Sequence, residues 1–260
     1  MLTLYGAPGS GAAAIEAALL IAAVPYRFVE AARWLPGPGL DELERVNPLG
    51  QIPTLVLDDG SVLTESAAIL IHLGLSLPHS GLLPPDPSAR ALAIRGLVYI
   101  AANCYAAIGV IDYPERWCAD CDDATRKRIR AATRTYLHHL WSVFADTFVA
   151  RPFLSGERIG ALDVLAAVVS RWSGARPHLA KERPALHALL VTIDNEPRLA
   201  PLFTRRRSPQ RARQLLAAHG HRGIDARRAQ RRQPARRDAN GGHQQGDAEQ
   251  GERIVRRHAE

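Results

Sequence analysis

The hydrophobic pattern changes at Pro84-Pro85-Asp86-Pro87. Before this segment, short apolar runs of strand length alternate with helix patterns; after it, the periodic segments are all of helix length. A chain of 260 residues has room for two domains. We therefore predict an α/β domain over residues 1–80 and an all-helical domain over residues 87–204, with the proline-rich segment as the linker.

The elements predicted for residues 1–80 follow the order βαβ and then αββα. Ala12–Ala23 has Glu16 as its only charge and predicts a largely buried helix. Asp58-Asp59-Gly60 separates two short strand patterns and predicts a hairpin. The other predicted elements are strands Leu2–Tyr5, Pro25–Glu30, Thr54–Leu57 and Ser61–Leu63, and helices Leu40–Val46 and Ser66–Leu73.

Long helical patterns follow the linker and predict a bundle. They cover Ser88–Ile111, Ala124–Val149, Leu162–Trp172 and Ala185–Ile193.

Charge is distributed unevenly along the chain. Residues 1–204 carry 18 Lys and Arg against 20 Asp and Glu, whereas residues 205–260 carry 15 Arg against 6 acidic residues. The near-neutral body argues against binding of nucleic acid by residues 1–204. The tail has few apolar residues and is predicted to be disordered. Two interpretations of the tail stay open: an arm that binds nucleic acid or acidic surfaces, or a biased extension without function, which we favour.

Several features predict a cytoplasmic protein without a membrane partner. Three cysteines are too few for a disulfide framework. No uninterrupted apolar run reaches the roughly 18 residues of a membrane span, and Met1–Tyr5 lacks the basic start of a signal peptide. Cys118 and Cys121 form a C-x-x-C pair, which we interpret as structural cysteines of a loop because a metal site needs further ligands.

Pro53 lies between strand-like residues, where a proline removes a backbone donor. A cis Ile52–Pro53 bond at a tight turn would explain it. The Ile52 N–H and C=O would then point outward and pair with an extended peptide as a strand does. The alternative is that Pro53 begins an edge strand.

Thr64-Glu65-Ser66 follows a strand pattern and opens a helix pattern. The N–H groups and dipole of a helix N-terminus favour a carboxylate ligand. Ser66 adds a hydroxyl donor and Glu65 accepts from an ammonium group, so the pair suits an amino-acid head group. The alternative is that Ser66 only caps the helix.

Taken together, these motifs resemble the glutathione transferase superfamily over roughly residues 1–204. The resemblance rests on an ordered set of segments: Asn47–Leu55, the strand pair around Asp59-Gly60, Leu63–Ile69, Phe153–Gly156 and Gly160–Asp163. It implies a thioredoxin-like α/β domain followed by an all-α domain. It also implies a homodimer, with glutathione as co-substrate and no metal.

By this resemblance, the Gln51-Ile52-Pro53 segment binds the cysteinyl part of glutathione through Ile52, and Glu65 and Ser66 hold the γ-glutamyl group. The family activates the glutathione thiol with a Tyr, Ser or Cys near the first strand and helix. Ser10 is the candidate here because it lies in Pro8-Gly9-Ser10-Gly11, at the start of the first helix pattern. A hydrogen bond from its hydroxyl to a charged sulfur would contribute about 1.5–3 kcal/mol. The alternative is that Ser10 is a plain helix cap; Tyr5 is expected in the core or the site wall.

Two further segments are interpreted by the same resemblance. Asn103 and Tyr105 lie on the helix that lines the electrophile pocket of the family, so they are predicted to face that pocket. Gly160 replaces the hydroxyl residue of a helix-capping box, so that only the Asp163 half is expected to form.

The resemblance implies a glutathione transferase that conjugates glutathione to a small apolar electrophile, a detoxification type of reaction. One alternative is a glutathione-transferase-like binding or regulatory protein without turnover. Another is a glutathione-dependent reductase or peroxidase, against which the lack of a cysteine near Ser10 argues.

Overall fold

A mixed four-stranded sheet forms in the first 64 residues of the computed structural model, which describes residues 1–204. The strand order is β2-β1-β3-β4; β1 and β2 are parallel, and β3 is antiparallel to both β1 and β4. The strands are β1 Leu2–Gly6, β2 Tyr26–Glu30, β3 Thr54–Val56 and β4 Val62–Thr64. The predicted βαβ and αββα order is confirmed.

The helices of this part are α1 Ala12–Ile21, α2 Pro38–Val46 and α3 Ser66–Ser76. Those that follow are α4 Pro87–Tyr99, α5 Ala106–Asp112, α6 Asp123–Thr147, α7 Ala161–Val169, α8 Ala175–Glu182, α9 Pro184–Asp194 and α10 Ala200–Thr204. The fold is thus a thioredoxin-like α/β part followed by an all-helical part, as predicted.

The hydrophobic core is continuous through both parts. Leu4 and Leu55 enter it from the sheet, and every residue of α7 is buried in it. Leu82 and Leu83 before the linker and Leu97 after it belong to the same core. The division at residues 80 and 87 therefore stays a prediction, and the tail at 205–260 lies outside the described residues.

Helices α8 and α10 were not predicted. Both helices are short, and Pro177 interrupts the helix pattern of α8. Proline is nevertheless tolerated in the first turn of a helix, because the first N–H groups have no intrahelical partner. The pattern also did not indicate that a π-helical segment, Ile100–Tyr105, joins α4 to α5.

Among the described residues, the continuous helix Pro87–Asp112 is long and apolar enough to cross a membrane by length and composition, although Arg90 and Arg95 interrupt its apolar sequence. Its packing is that of a core helix, because Leu97, Ile100 and Cys104 are fully buried inside the protein. Burial raises the pKa of the Cys104 thiol to about 12, which keeps this thiol protonated and unreactive.

The start of α7 is capped in an unexpected way. Asp163 accepts from the Gly160 N–H at 3.0 Å, which is the predicted half of the capping box. In addition, Ser155 Oγ accepts from the N–H of Leu162, the second helical residue, at 3.2 Å, whereas a capping box would use the N–H of the third. A Cβ on Gly160 would lie 2.6 Å from the Ser155 Cβ. Ser155 thus occupies the space beside Gly160 and caps a neighbouring N–H group, while the box itself is half-formed, as predicted.

Candidate functional site

Strand register brings three loops to one end of the sheet. Tyr5 is paired with Thr54 and Thr54 with Thr64 across β1, β3 and β4. The chain therefore leaves β1 toward Ser10, enters β3 from Ile52-Pro53 and leaves β4 toward Glu65, all at the same end of the sheet. Local sequence motifs from three separate segments converge because β3 is antiparallel to both of its neighbours.

The Ile52–Pro53 peptide bond is cis, and Pro53 is buried. Strand β3 lies between β1 and β4, so the edge-strand alternative is wrong. The Ile52 N–H and C=O take part in no turn, loop or cap hydrogen bond among residues 1–204. They are placed at the end of the sheet where an extended peptide can pair with them.

The loop before Ile52 is held by side chains from both of its ends. The Gln51 carbonyl accepts from Thr54 Oγ1 at 2.8 Å and from Asn47 Nδ2 at 3.3 Å. Asn47 is buried and also donates to Thr54 Oγ1 at 3.0 Å. The carbonyl of Gln51 is therefore engaged, while its side chain is exposed.

Glu65 and Ser66 form the entry to α3. Glu65 occupies the N-cap position with φ +64°, a conformation that costs a non-glycine residue about 1–3 kcal/mol and is typical of functional sites. Ser66 is the first helical residue, and no side chain of the described region caps α3. The cap-only interpretation of Ser66 is therefore wrong, and the first N–H groups of α3 point out of the helix without an intrahelical partner.

Ser10 precedes α1 and is 4% exposed. Its Oγ accepts from the Ala12 N–H at 3.2 Å and the Ala7 N–H at 3.3 Å. These two bonds use both acceptor positions of the hydroxyl, which leaves its proton to be donated. The geometry is that of a helix-capping serine whose O–H is fixed in place, so it fits both interpretations made from the sequence.

Tyr105 reaches this end of the sheet from the helical part. A Cβ on Gly11 would lie 2.6 Å from the Tyr105 hydroxyl oxygen and 3.5 Å from Ser66 Oγ. The hydroxyl of Tyr105 therefore lies over Gly11 at the start of α1, and Ser66 Oγ lies near the same point. Its ring packs edge-on against Trp172, with 5.4 Å between the ring centroids.

Asn103 is on the same π-helical segment, but its Nδ2 donates to the carbonyl of Tyr99 in the preceding turn at 3.1 Å. Its side-chain amide is therefore engaged with the backbone of its own helix. Its role in the electrophile pocket stays a prediction.

The side chain of Tyr5 points away from this end of the sheet. It packs with Ala31 and Leu43 under α2, and its hydroxyl donates to Glu42 Oε1 at 2.8 Å. Burial raises the pKa of Tyr5, and hydrogen bonds from Tyr5 and Arg27 lower the pKa of Glu42. As expected, Tyr5 is a core residue.

Arg33 was not identified from the sequence. It follows β2, and a Cβ on Gly50 would lie 2.9 Å from its Nε, so its guanidinium lies over the loop that precedes Ile52. A single arginine in the segment Ala31–Trp34 carries no motif that could have indicated this position.

The C-x-x-C pair lies elsewhere in the fold. Cys118 and Cys121 are joined to each other by a disulfide in the loop before α6, with 5.5 Å between their Cα atoms. Residues 1–204 contain no cluster of three or more His, Cys, Asp or Glu side chains that would hold a metal ion.

Comparison with known proteins gives matches over the same region. Residues 12–74 match the family model of the glutathione S-transferase N-terminal domain. The chain is 30% identical over 207 residues to the uncharacterized GST-like protein YncG of Escherichia coli strain K12. That alignment covers 79% of this chain and 98% of the relative.

Solved structures share the fold. A glutathione S-transferase of Methylobacterium radiotolerans, in complex with glutathione sulfonate, has a TM-score of 0.65 at 26% identity and covers 80% of this chain and 96% of that chain. A glutathione transferase homologue from Sulfitobacter with bound glutathione has a TM-score of 0.66 at 24% identity, with coverages of 77% and 96%. Both similarities extend through the sheet and the helical part.

Proposed function

Because this chain belongs to the glutathione S-transferase superfamily, we propose that it is an enzyme that conjugates glutathione to a small apolar electrophile. The observation that carries the proposal is the meeting of Ser10, Ile52, Glu65 and Ser66 at one end of the sheet. Each of these residues offers a group that glutathione, a short peptide with an amino-acid head, needs for binding or activation.

In the proposed complex, glutathione extends along Ile52-Pro53. Its cysteinyl backbone pairs with the free N–H and C=O of Ile52. The γ-glutamyl carboxylate lies at the uncapped N-terminus of α3 with the Ser66 hydroxyl, and the Glu65 carboxylate accepts from its ammonium group. Arg33, over the loop at Gly50, offers a cation to the glycyl carboxylate.

The thiol of this peptide would lie at the start of α1. A free cysteine thiol has a pKa of about 8.5, and lowering it by two requires about 2.7 kcal/mol of preference for the thiolate. One hydrogen bond from Ser10 together with the helix N-terminus supplies nearly that amount. The thiolate then attacks the electrophilic carbon, a C–S bond forms and the leaving group departs with its electron pair.

The proposal extends to a cytoplasmic homodimer with a role in detoxification. Exposed apolar side chains lie on the neighbouring elements β4, α3 and α4, and their burial against a second copy of the chain would favour self-association. They are Val62, Leu92, Val98 and Leu75, which are 40%, 45%, 49% and 54% exposed.

A second candidate function is glutathione binding without turnover. The two backbone hydrogen bonds to Ser10 Oγ favour it, because they are what a plain capping serine would make. This candidate shares the clamp at Ile52, Glu65 and Ser66 with the enzyme and differs only in the role of Ser10.

The test combines retention on immobilised glutathione with turnover of chlorodinitrobenzene. Ser10→Ala is expected to lower kcat/KM about 10- to 100-fold while retention survives, since it removes one hydrogen bond to a charged sulfur. Ser66→Ala is expected to weaken glutathione binding about tenfold, because a donor to the carboxylate is lost. Ser76→Ala, at the exposed end of α3, is the matched control.

Unchanged turnover in Ser10→Ala would remove Ser10 from the mechanism. Retention of the wild-type protein without turnover would favour the binding protein. A wild-type protein that shows neither retention on immobilised glutathione nor turnover of chlorodinitrobenzene would contradict the glutathione site itself.

A further inference from the structure

The Cys118–Cys121 disulfide closes a loop of only four residues, because the two cysteines are three positions apart. In the chain-entropy account, a disulfide stabilises a fold by closing a loop of the unfolded chain, and the gain decreases as the loop becomes shorter. Both cysteines lie in the one segment between α5 and α6, so the bond does not join separate elements. Its contribution to holding the fold together is therefore small.

The segment that carries the pair is held by bonds that involve neither sulfur. The Pro114 carbonyl accepts from the N–H groups of Trp117 and Cys118, at 3.0 and 3.1 Å. The Asp122 carboxylate caps α6 by accepting from the Thr125 N–H at 2.7 Å. We therefore expect the turn before the pair and the start of α6 to persist when the disulfide is reduced.

The cysteines of this pair are accessible, in contrast with the third cysteine of the chain. Cys118 and Cys121 are half-buried, and their neighbours Trp117 and Asp120 are exposed, whereas Cys104 is fully buried. A small thiol can thus reach the disulfide but not Cys104. Exposed disulfides are reduced more readily than buried structural ones and are often regulatory or catalytic.

We propose that Cys118 and Cys121 form a reversible redox site, which exchanges its disulfide with a low-molecular-weight thiol such as glutathione. The thiolate of one glutathione attacks one sulfur of the pair, the S–S bond breaks, a mixed disulfide forms and the released cysteine thiolate takes up a proton. A second glutathione thiolate attacks the glutathione sulfur of the mixed disulfide, which releases oxidised glutathione and the second cysteine. The pair gains two electrons and two protons, which the two glutathione molecules lose. Oxidised glutathione restores the disulfide by the reverse steps.

This redox role goes beyond the structural role that the C-x-x-C spacing suggested. It does not depend on the residues of the proposed glutathione clamp, because the thiol reaches the pair from solvent. In the cytoplasm, the compartment proposed for this chain, the few disulfides that occur are usually transient and catalytic or redox-sensing.

The test equilibrates the full chain without oxygen in mixtures of reduced and oxidised glutathione and counts free thiols by alkylation under denaturing conditions and mass spectrometry. Wild-type protein is expected to pass from one free thiol to three as reduced glutathione increases, and to return to one when oxidised glutathione is restored. For a two-electron exchange, the reduced fraction rises from a tenth to nine tenths over an about 80-fold change in the squared concentration of reduced glutathione divided by that of oxidised glutathione.

Three variants assign the change to this pair. Cys104→Ala is the matched control and is expected to gain two thiols over the same range of mixtures. Cys118→Ser and Cys121→Ser each leave one accessible thiol, which is expected to form a mixed disulfide with oxidised glutathione. S-methylglutathione, which has no free thiol but retains the groups that the proposed clamp binds, is expected to leave the rate of reduction unchanged.

Thermal unfolding separates this role from that of a structural staple. The reduced protein is expected to keep a cooperative transition, with a Tm lowered by no more than about 8 °C, because so short a loop gains little from closure. The proposal is overturned if the pair stays oxidised in reduced glutathione alone or stays reduced in oxidised glutathione alone. Unfolding on reduction, or a rate of reduction that falls with S-methylglutathione, would also overturn it.

Discussion

At the scale of single residues, Ser155 shows how a loop residue outside a helix can cap the start of that helix. The capping box at α7 lacks its hydroxyl at Gly160, and Ser155, five residues earlier, places a hydroxyl beside it that caps the Leu162 N–H instead. Asp163 closes the loop by accepting from the N–H groups of Leu154 and Ser155 as well as Gly160. The sequence could indicate the missing hydroxyl but not its replacement, because Ser155 acts through a loop geometry that no local pattern encodes.

Two variants test this arrangement by urea denaturation. Ser155→Ala is expected to lower the free energy of unfolding by about 1 kcal/mol, the typical effect of removing a helix cap. Gly160→Ser restores the usual capping residue but is also expected to destabilise, since its Cβ would lie 2.6 Å from the Ser155 Cβ and 2.7 Å from the Leu82 carbonyl oxygen. A Gly160→Ser protein more stable than the wild type would show that Ser155 does not fill that place.

At the scale of elements, the strands and most helices could be predicted because their apolar residues repeat with the period of the element. The π-helical segment at Ile100–Tyr105 could not, since its residues read as ordinary helix and its geometry depends on packing against α6 and α7. Helix α8 could not be predicted either, because it is short and contains a proline.

Helices α6 and α8 contact each other through two histidines. His138 of α6 and His178 of α8 are stacked, with 4.7 Å between ring centroids.

This histidine pair is expected to make stability depend on pH. Burial, and then the neighbouring His138, lower the pKa of His178 from its ordinary value of about 6.5; Glu182 acts in the opposite direction and Arg183 in the same one. His178 therefore binds a proton more readily in the unfolded chain than in the folded one. As a result, the free energy of unfolding falls as the pH drops below about 6.5.

The measurement is urea denaturation at pH 7.5 and 5.5. His178→Gln should lose less stability between the two pH values than the wild type, whereas the exposed control His79→Gln should lose as much. Equal losses in wild type and His178→Gln would contradict this origin of the pH dependence.

At the scale of the whole molecule, the candidate site depends on both parts of the fold. The sheet contributes Ser10, Ile52, Glu65 and Ser66 through its register, and the helical part contributes Tyr105. The sequence predicted the first group because each residue belongs to a short motif. It predicted only that Tyr105 lines a pocket, because the contact over Gly11 joins residues that are far apart in the chain.

The most direct test of the account is a crystal structure of the protein with bound glutathione. We expect the cysteinyl backbone to pair with Ile52, the γ-glutamyl group to contact Glu65 and Ser66, and the sulfur to lie within hydrogen-bonding distance of Ser10 Oγ. Glutathione bound away from the Ile52-Pro53 turn, or in that turn with its sulfur directed away from the start of α1, would contradict it.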